Sequence, residues 1–200
     1  YYTANFRYAY RHGGFFRQPI WKAASGRGIV EWDAVEEDKK MKNEDALKKF
    51  LVEQGEFSED EINELVIKKE WDSYYSEYRF DVYGDEYLVM NDDRAYATAF
   101  YEISQSLWAF NVDFIMSHLK NEIFGDYTVD LAVLKKGLKA MQENLCEGAN
   151  AIIHSLIDNL NEFVDDAIAA DGRGIFISSY NGDENEVTVY DETYYIYRLS

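Results

Sequence analysis

Few side chains in this sequence have the types and spacing that chemistry needs. The three histidines are His12, His118 and His154. None has a second metal ligand at a helical or turn spacing of a recognised type, so zinc binding and histidine catalysis are not expected. Cys146 has Glu147 beside it, and a neighbouring negative charge raises a thiol pKa, which works against a nucleophile. As the single cysteine it also excludes an intramolecular disulfide and a cysteine-based zinc site, and it fits a reducing cytoplasm. Gly26-Arg27-Gly28 and Gly172-Arg173-Gly174 lack the P-loop and dinucleotide patterns, and no Gly-x-Ser-x-Gly occurs. Asp183-Glu184-Asn185-Glu186 has the composition of a calcium loop without EF-hand spacing. Paired acids such as Asp165-Asp166 could hold magnesium in a nuclease, yet acids are common enough here for pairs to arise by chance. No catalytic residue, metal or cofactor is assigned.

What remains is charge. Lys and Arg number 20 against 38 Asp and Glu, a formal net charge of −18. Residues 1–30 carry Arg7, Arg11, Arg17, Lys22 and Arg27 and no acid, which leaves 15 basic against 38 acidic side chains, or −23, for the rest of the chain. A body this negative repels nucleic acid and anionic membranes and attracts basic surfaces at long range. Carboxylates spread along one face imitate the charge of duplex DNA and suit a basic nucleic-acid channel. The candidate positions are Asp158, Glu162, Asp165, Asp166, Asp171, Asp183, Glu184 and Glu186. The alternative is a solvated face that serves solubility alone. The five basic residues lie among aromatics, a pattern that can stack bases and bind phosphates, or equally an ordinary sheet whose arginines pair with acids elsewhere.

These groups need elements to position them. A hydrophobic content of 47% with 16% aromatic supports a folded chain, and no run approaches 18 apolar residues, so no membrane span is expected. The fold class is α+β. Residues 1–32 read as β, with turns at His12-Gly13-Gly14 and Ser25–Gly28 and a short strand Ile29–Trp32. Residues 33–43 read as a charged connection, and Asn43 as the cap of a short helix carrying Leu47, Phe50 and Leu51 and stopped by Gly55. Ser58 and Glu61 form a capping box ahead of Ile62, Leu65 and Val66, completing a helical hairpin. Tyr74–Met90 alternates as a β-hairpin about Gly84-Asp85, and Asn91 caps the next helix.

The most apolar stretch, Ile103–Leu119, reads as two helices broken at Asn111. Gly125-Asp126 ends the second, and Thr128 caps a helix with Leu131, Leu134, Leu138, Met141 and Leu145 on one face. Further apolar faces follow at Ile152–Leu160 and at Phe163, Val164 and Ile168, so residues 92–170 form a helical core. Ile175–Tyr180, Glu186–Tyr190 and Tyr194–Arg198 then read as an antiparallel meander. The repeated Gly-Arg-Gly-Ile at 26–29 and 172–175 reads each time as a turn into a strand. Two parts are delimited, 1–90 and 91–200, with one compact unit as the alternative.

Ser106–Asn111, Phe163–Ile168 and Ala170–Glu184 are similar to a motif set in small acidic proteins of phages, prophages and gut metagenomes. The resemblance covers roughly residues 92–200. It implies a mobile-element origin and carries over no catalytic residue. By that association the expected function is a non-enzymatic anti-defence inhibitor, anti-CRISPR or antirestriction, in the cytoplasm of a bacterial host. Its partner would be a defence nuclease bound through the acidic face, with nucleic acid as a further contact of the basic first 30 residues and no membrane involvement. The alternatives are a metal-dependent nucleic-acid-processing phage enzyme and a non-catalytic assembly protein.

Overall fold

Between Ile29 and Gln54 the chain contains neither Gly nor Pro and is rich in Glu, Lys, Ala and Leu, all good helix formers. In the computed structural model, which describes residues 29–120 and 130–200 with side chains from Met41 onward, this stretch is one helix, α1 (Ile29–Glu53). The strand expected at Ile29–Trp32, the connection at 33–43 and the Asn43 cap are therefore corrected. Three apolar residues in a stretch of four are too few to set a period, and a charge run of strong helix formers continues a helix. The strands and turns expected in residues 1–28, with Arg7, Arg11, Arg17, Lys22 and Arg27, lie outside the described residues, as do Gly125-Asp126 and Thr128.

Asn43 sits inside α1, 1% exposed, and its Nδ2 donates to the Val89 carbonyl (2.9 Å) and to Glu77 Oε1 (3.4 Å). One and two turns on, Ala46, Leu47, Phe50 and Leu51 continue the same buried stripe. The helix ends as expected before Gly55, whose φ of +75° suits glycine. Glu56 N–H bonds the Leu51 carbonyl and Gly55 N–H that of Val52, a Schellman closure. The short α2 (Glu59–Glu64) carries the expected capping box: Ser58 Oγ accepts from Glu61 N–H, and Glu61 Oε2 accepts from Ser58 N–H at 2.9 Å. Ile62 is buried, but Val66 stands in solvent.

Five antiparallel strands follow in the order β1-β2-β3-β5-β4: β1 (Lys68–Asp72), β2 (Glu77–Val82), β3 (Asp85–Asn91), β4 (Asn185–Val189) and β5 (Glu192–Arg198). Two-residue turns with positive φ close the β2–β3 hairpin at Tyr83-Gly84 and the β4–β5 hairpin at Tyr190-Asp191. In β3 alternate residues face opposite layers. Tyr87 and Val89 pack with α1, alongside Phe80, Val187 and Ile196. Leu88 and Met90 pack with Tyr197, with Ala95 and Ala99 of α3 (Asp92–Gln105), and with Ile177. β5 returns from the C-terminal part to pair with β3, register Val89↔Ile196.

The apolar anchor breaks at Asn111 as expected, but its first helix ends at Gln105 and its second at Ser117, well short of Gly125. Asn91 caps α3 by accepting from Arg94 N–H, and α3 ends at Gln105. A 3₁₀ turn, Leu107–Ala109, leads to Asn111, which caps α4 (Val112–Ser117) by accepting from Asp113 N–H at 2.8 Å. Ile103, Leu107, Phe110, Ile115 and Leu119 are buried with Leu138, Ile153, Phe163 and Val164 in one core. That core joins α5 (Leu131–Leu145), which is capped by Asp130, to α6 (Asn150–Leu156) and α7 (Leu160–Asp171). On α5 Leu138 is buried, whereas Leu131 and Leu145 are about half exposed, so the stripe is narrower than its spacing indicates.

The strand expected at Ile175–Tyr180 is instead one helical turn, α8 (Gly174–Ile177). Phe176 faces the helical core while Ile177 faces the sheet. Gly174 makes this possible: a Cβ there would lie 2.3 Å from the Gly182 carbonyl oxygen. The second Gly-Arg-Gly-Ile therefore leads into a helix, and Ile29 of the first opens α1.

Asn43→Ala removes the Val89 bond and leaves a buried carbonyl unpaired. We expect a loss of about 1–3 kcal/mol, read as a lower urea midpoint at unchanged m-value. An unshifted midpoint would show that the bond does not hold α1 on the sheet.

Candidate partner-binding face

α7 begins where Asn159 accepts hydrogen bonds from the Asn161 and Glu162 N–H groups. Its buried positions Phe163, Val164 and Ala167 define the inner side. Asp158 just before the helix, and Glu162, Asp165 and Asp166 within it, therefore fall on the outer side, and all four are exposed. Glu162 and Asp166 are one turn apart, about 6 Å along the axis. Like charges at that spacing cost a few tenths of a kcal/mol. Among the described residues none of the four forms an ion pair with Lys or Arg.

Two of the four touch neighbours. Asp165 Oδ1 accepts from the Tyr96 hydroxyl of α3 at 2.7 Å, a bond that holds the phenol above its usual range. Asp166 Oδ2 lies 3.1 Å from His118 Nε2. The His118 ring is held between Phe114 and Phe163, at centroid distances of 4.7 and 5.0 Å, and its Nδ1 is 2.9 Å from the Phe114 carbonyl.

The other candidate acids are placed differently. Asp171 falls on the buried side of α7 at its last turn, and partial burial raises its carboxyl pKa. Asp183 accepts from Asn181 Nδ2 in the loop after α8, and Glu186 is exposed on the edge strand β4. Glu184 is folded back into the protein. Arg173 donates to it through Nε (2.8 Å) and Nη2 (2.9 Å), and the Tyr197 hydroxyl donates at 2.5 Å. Arg173 also reaches Asp92 Oδ1 at 2.8 Å and lies 4.2 Å over the Tyr195 ring. Burial, then the bond to Glu184, pushes the Tyr197 hydroxyl far up, so it stays a donor. Arg173 thus ties together the N-terminus of α3, the α8 turn and β5.

No local sequence signal marks Tyr96 and His118 as neighbours of the row. The contacts at Tyr96 and His118 join residues 69 and 48 apart in sequence. Among the described residues no three His, Cys, Asp or Glu side chains converge as a metal-binding group, and no helix is long and apolar enough to cross a membrane. Comparison with protein-family models, with curated proteins and with solved structures gives no match.

Arg173→Ala should cost about 2–3 kcal/mol, because two carboxylates lose charged hydrogen bonds at a half-buried site. Arg173→Lys should recover less than half of that, lacking the planar fork that grips Glu184. Chemical denaturation of both variants checks this, and equal stability of the Lys variant and the parent would contradict it.

Proposed function

We propose that this protein is an anti-defence inhibitor of phage type that binds a bacterial nuclease, a CRISPR effector or restriction enzyme, without catalysing a reaction. The acidic face takes the place of DNA in the nuclease's basic channel, in the cytoplasm of the bacterial host. The observation that carries this reading is the row Asp158, Glu162, Asp165 and Asp166. These are four exposed carboxylates, three on α7 and one just before it, with no Lys or Arg ion pair among the described residues, in a chain at −18. A row kept at the cost of its own repulsion is charge directed outward. It attracts a cationic groove at long range and competes there with phosphates. Glu184, which is engaged by Arg173 and Tyr197, belongs to its support and not to the contact, and Asp171 lies on the inner side of α7. Asp183 and Glu186 extend the negative surface.

The test is a triple charge reversal, Glu162→Lys with Asp165→Lys and Asp166→Lys, in a binding assay against a guide-loaded CRISPR effector and a restriction complex. We expect the parent to bind with an affinity that falls as salt rises, and the triple variant to lose at least about tenfold, since each tenfold is only 1.4 kcal/mol. Undiminished binding by a folded triple variant would overturn charge mimicry at α7. Failure of the parent to bind either nuclease would overturn the inhibitor reading.

A further inference from the structure

Two arginines show how this chain holds a guanidinium. Arg173 has its Cζ 4.2 Å from the centre of the Tyr195 ring, while its N–H groups go to Glu184 (2.8 and 2.9 Å) and Asp92 (2.8 Å). Arg198 has its Cζ 4.2 Å from the centre of the Tyr180 ring, and its Nη2 lies 2.5 Å from Asp85. In both, a tyrosine takes the flat face of the cation and a carboxylate takes its rim. The cation–ring contacts among the described residues are all made by arginines. A planar, weakly hydrated guanidinium suits this pairing, and the compact, strongly hydrated ammonium of lysine does not match it.

The same pair stands at the seam of α3 and α7 without a cation. Tyr96 of α3 is exposed, and its hydroxyl is fixed on Asp165 Oδ1 at 2.7 Å. That bond holds a ring and a carboxylate side by side. Phe100, one turn on, backs the ring at 6.4 Å. Asp92 and Asp93 lie one turn back on α3 and Glu162 one turn back on α7, each within reach of a group bound at the ring. Asp92 is engaged by Arg173. Asp93 and Glu162 form no ion pair with Lys or Arg among the described residues, and no described cation lies over the Tyr96 ring. An aromatic surface is thus set inside a patch of negative charge, and a cation with a flat face complements both.

We propose that this seam takes an arginine of the partner. A guanidinium from the nuclease's basic channel lies on the Tyr96 ring and donates to Asp165. The inference rests on the nuclease-binding reading of α7 and deepens it. Charge alone accepts lysine and arginine alike, whereas the ring beside the carboxylate selects arginine.

The test uses the full chain and two probes of equal charge, hexa-arginine and hexa-lysine. Binding is measured by calorimetry at low salt and by NMR of the Tyr96 ring. We expect hexa-arginine to bind at least about threefold tighter than hexa-lysine and to shift the Tyr96 ring signals. Tyr96→Leu keeps every carboxylate and should abolish the preference. Tyr101→Leu, which removes another exposed tyrosine of α3, should keep it. Equal affinity for the two peptides in the parent, a preference that survives Tyr96→Leu, or one that Tyr101→Leu also abolishes would overturn the proposal. Ring signals of Tyr96 that hexa-arginine leaves unmoved would overturn it in the parent alone, whatever the variants do. No nuclease enters this experiment, so its outcome is separate from the inhibitor reading. A parent that binds a nuclease without preferring arginine keeps that reading and loses this one.

Discussion

The fold depends on a strand that is buried on both sides. Tyr87, Leu88, Val89 and Met90 of β3 are at most 2% exposed. Antiparallel strands commonly keep one face in water; here the alternation supplies an apolar row to each face, so each must be covered. One row calls for α1 and the other for α3 and α8. Burying each such side chain is worth about 1.5–3 kcal/mol, enough to recruit both layers. Asn43 locates α1 against this strand through the Val89 carbonyl, and Asn91, at the strand's end, starts α3 directly beneath it. β5 then closes onto β3 and brings the last residues of the chain into the middle of the sheet.

Around that centre the chain handles a large negative charge in two ways. Some acids that meet the fold are tied to scarce cations. Arg173 serves Asp92 and Glu184 together, and Arg79 serves Asp72 and Glu86. Where acids face outward on α7, no Lys or Arg among the described residues pairs with them. The 38 acids against 20 bases make universal pairing impossible, and the places left unpaired are a matter of position. The outer side of α7 is one such place.

What could be read in the sequence follows the range of the interactions. The Ser58–Glu61 box, the Asn91 and Asn111 caps and the Gly84 turn are decided within four residues, and each is found as read. Phe163 and Val164 of the expected apolar face are buried in α7, but which of the eight candidate acids share a face followed only from the fold. The failures share a cause. Ile29–Trp32 and Ile175–Tyr180 are short apolar runs beside Gly-Arg-Gly, and a run of that length does not distinguish strand from helix. What decides the second is Gly174 pressed against the Gly182 backbone, a tertiary contact. β1, Lys-Lys-Glu-Trp-Asp, has no apolar alternation and exists because β2 pairs with it. Glu184 is surface charge, and only the fold brings Arg173, eleven residues earlier, and Tyr197 onto its carboxylate.

A doubly covered sheet thus sits beside a helix whose outer carboxylates are exposed, the face that we propose a nuclease binds. Competition with DNA tests that claim most directly. A complex of this protein with a guide-loaded CRISPR effector or a restriction enzyme would be titrated with duplex DNA at low and high salt, and its composition measured by sedimentation. The account predicts mutual exclusion, with DNA displacing the protein and both affinities falling as salt rises. A ternary complex of nuclease, DNA and protein, stable at both salt concentrations, would contradict it.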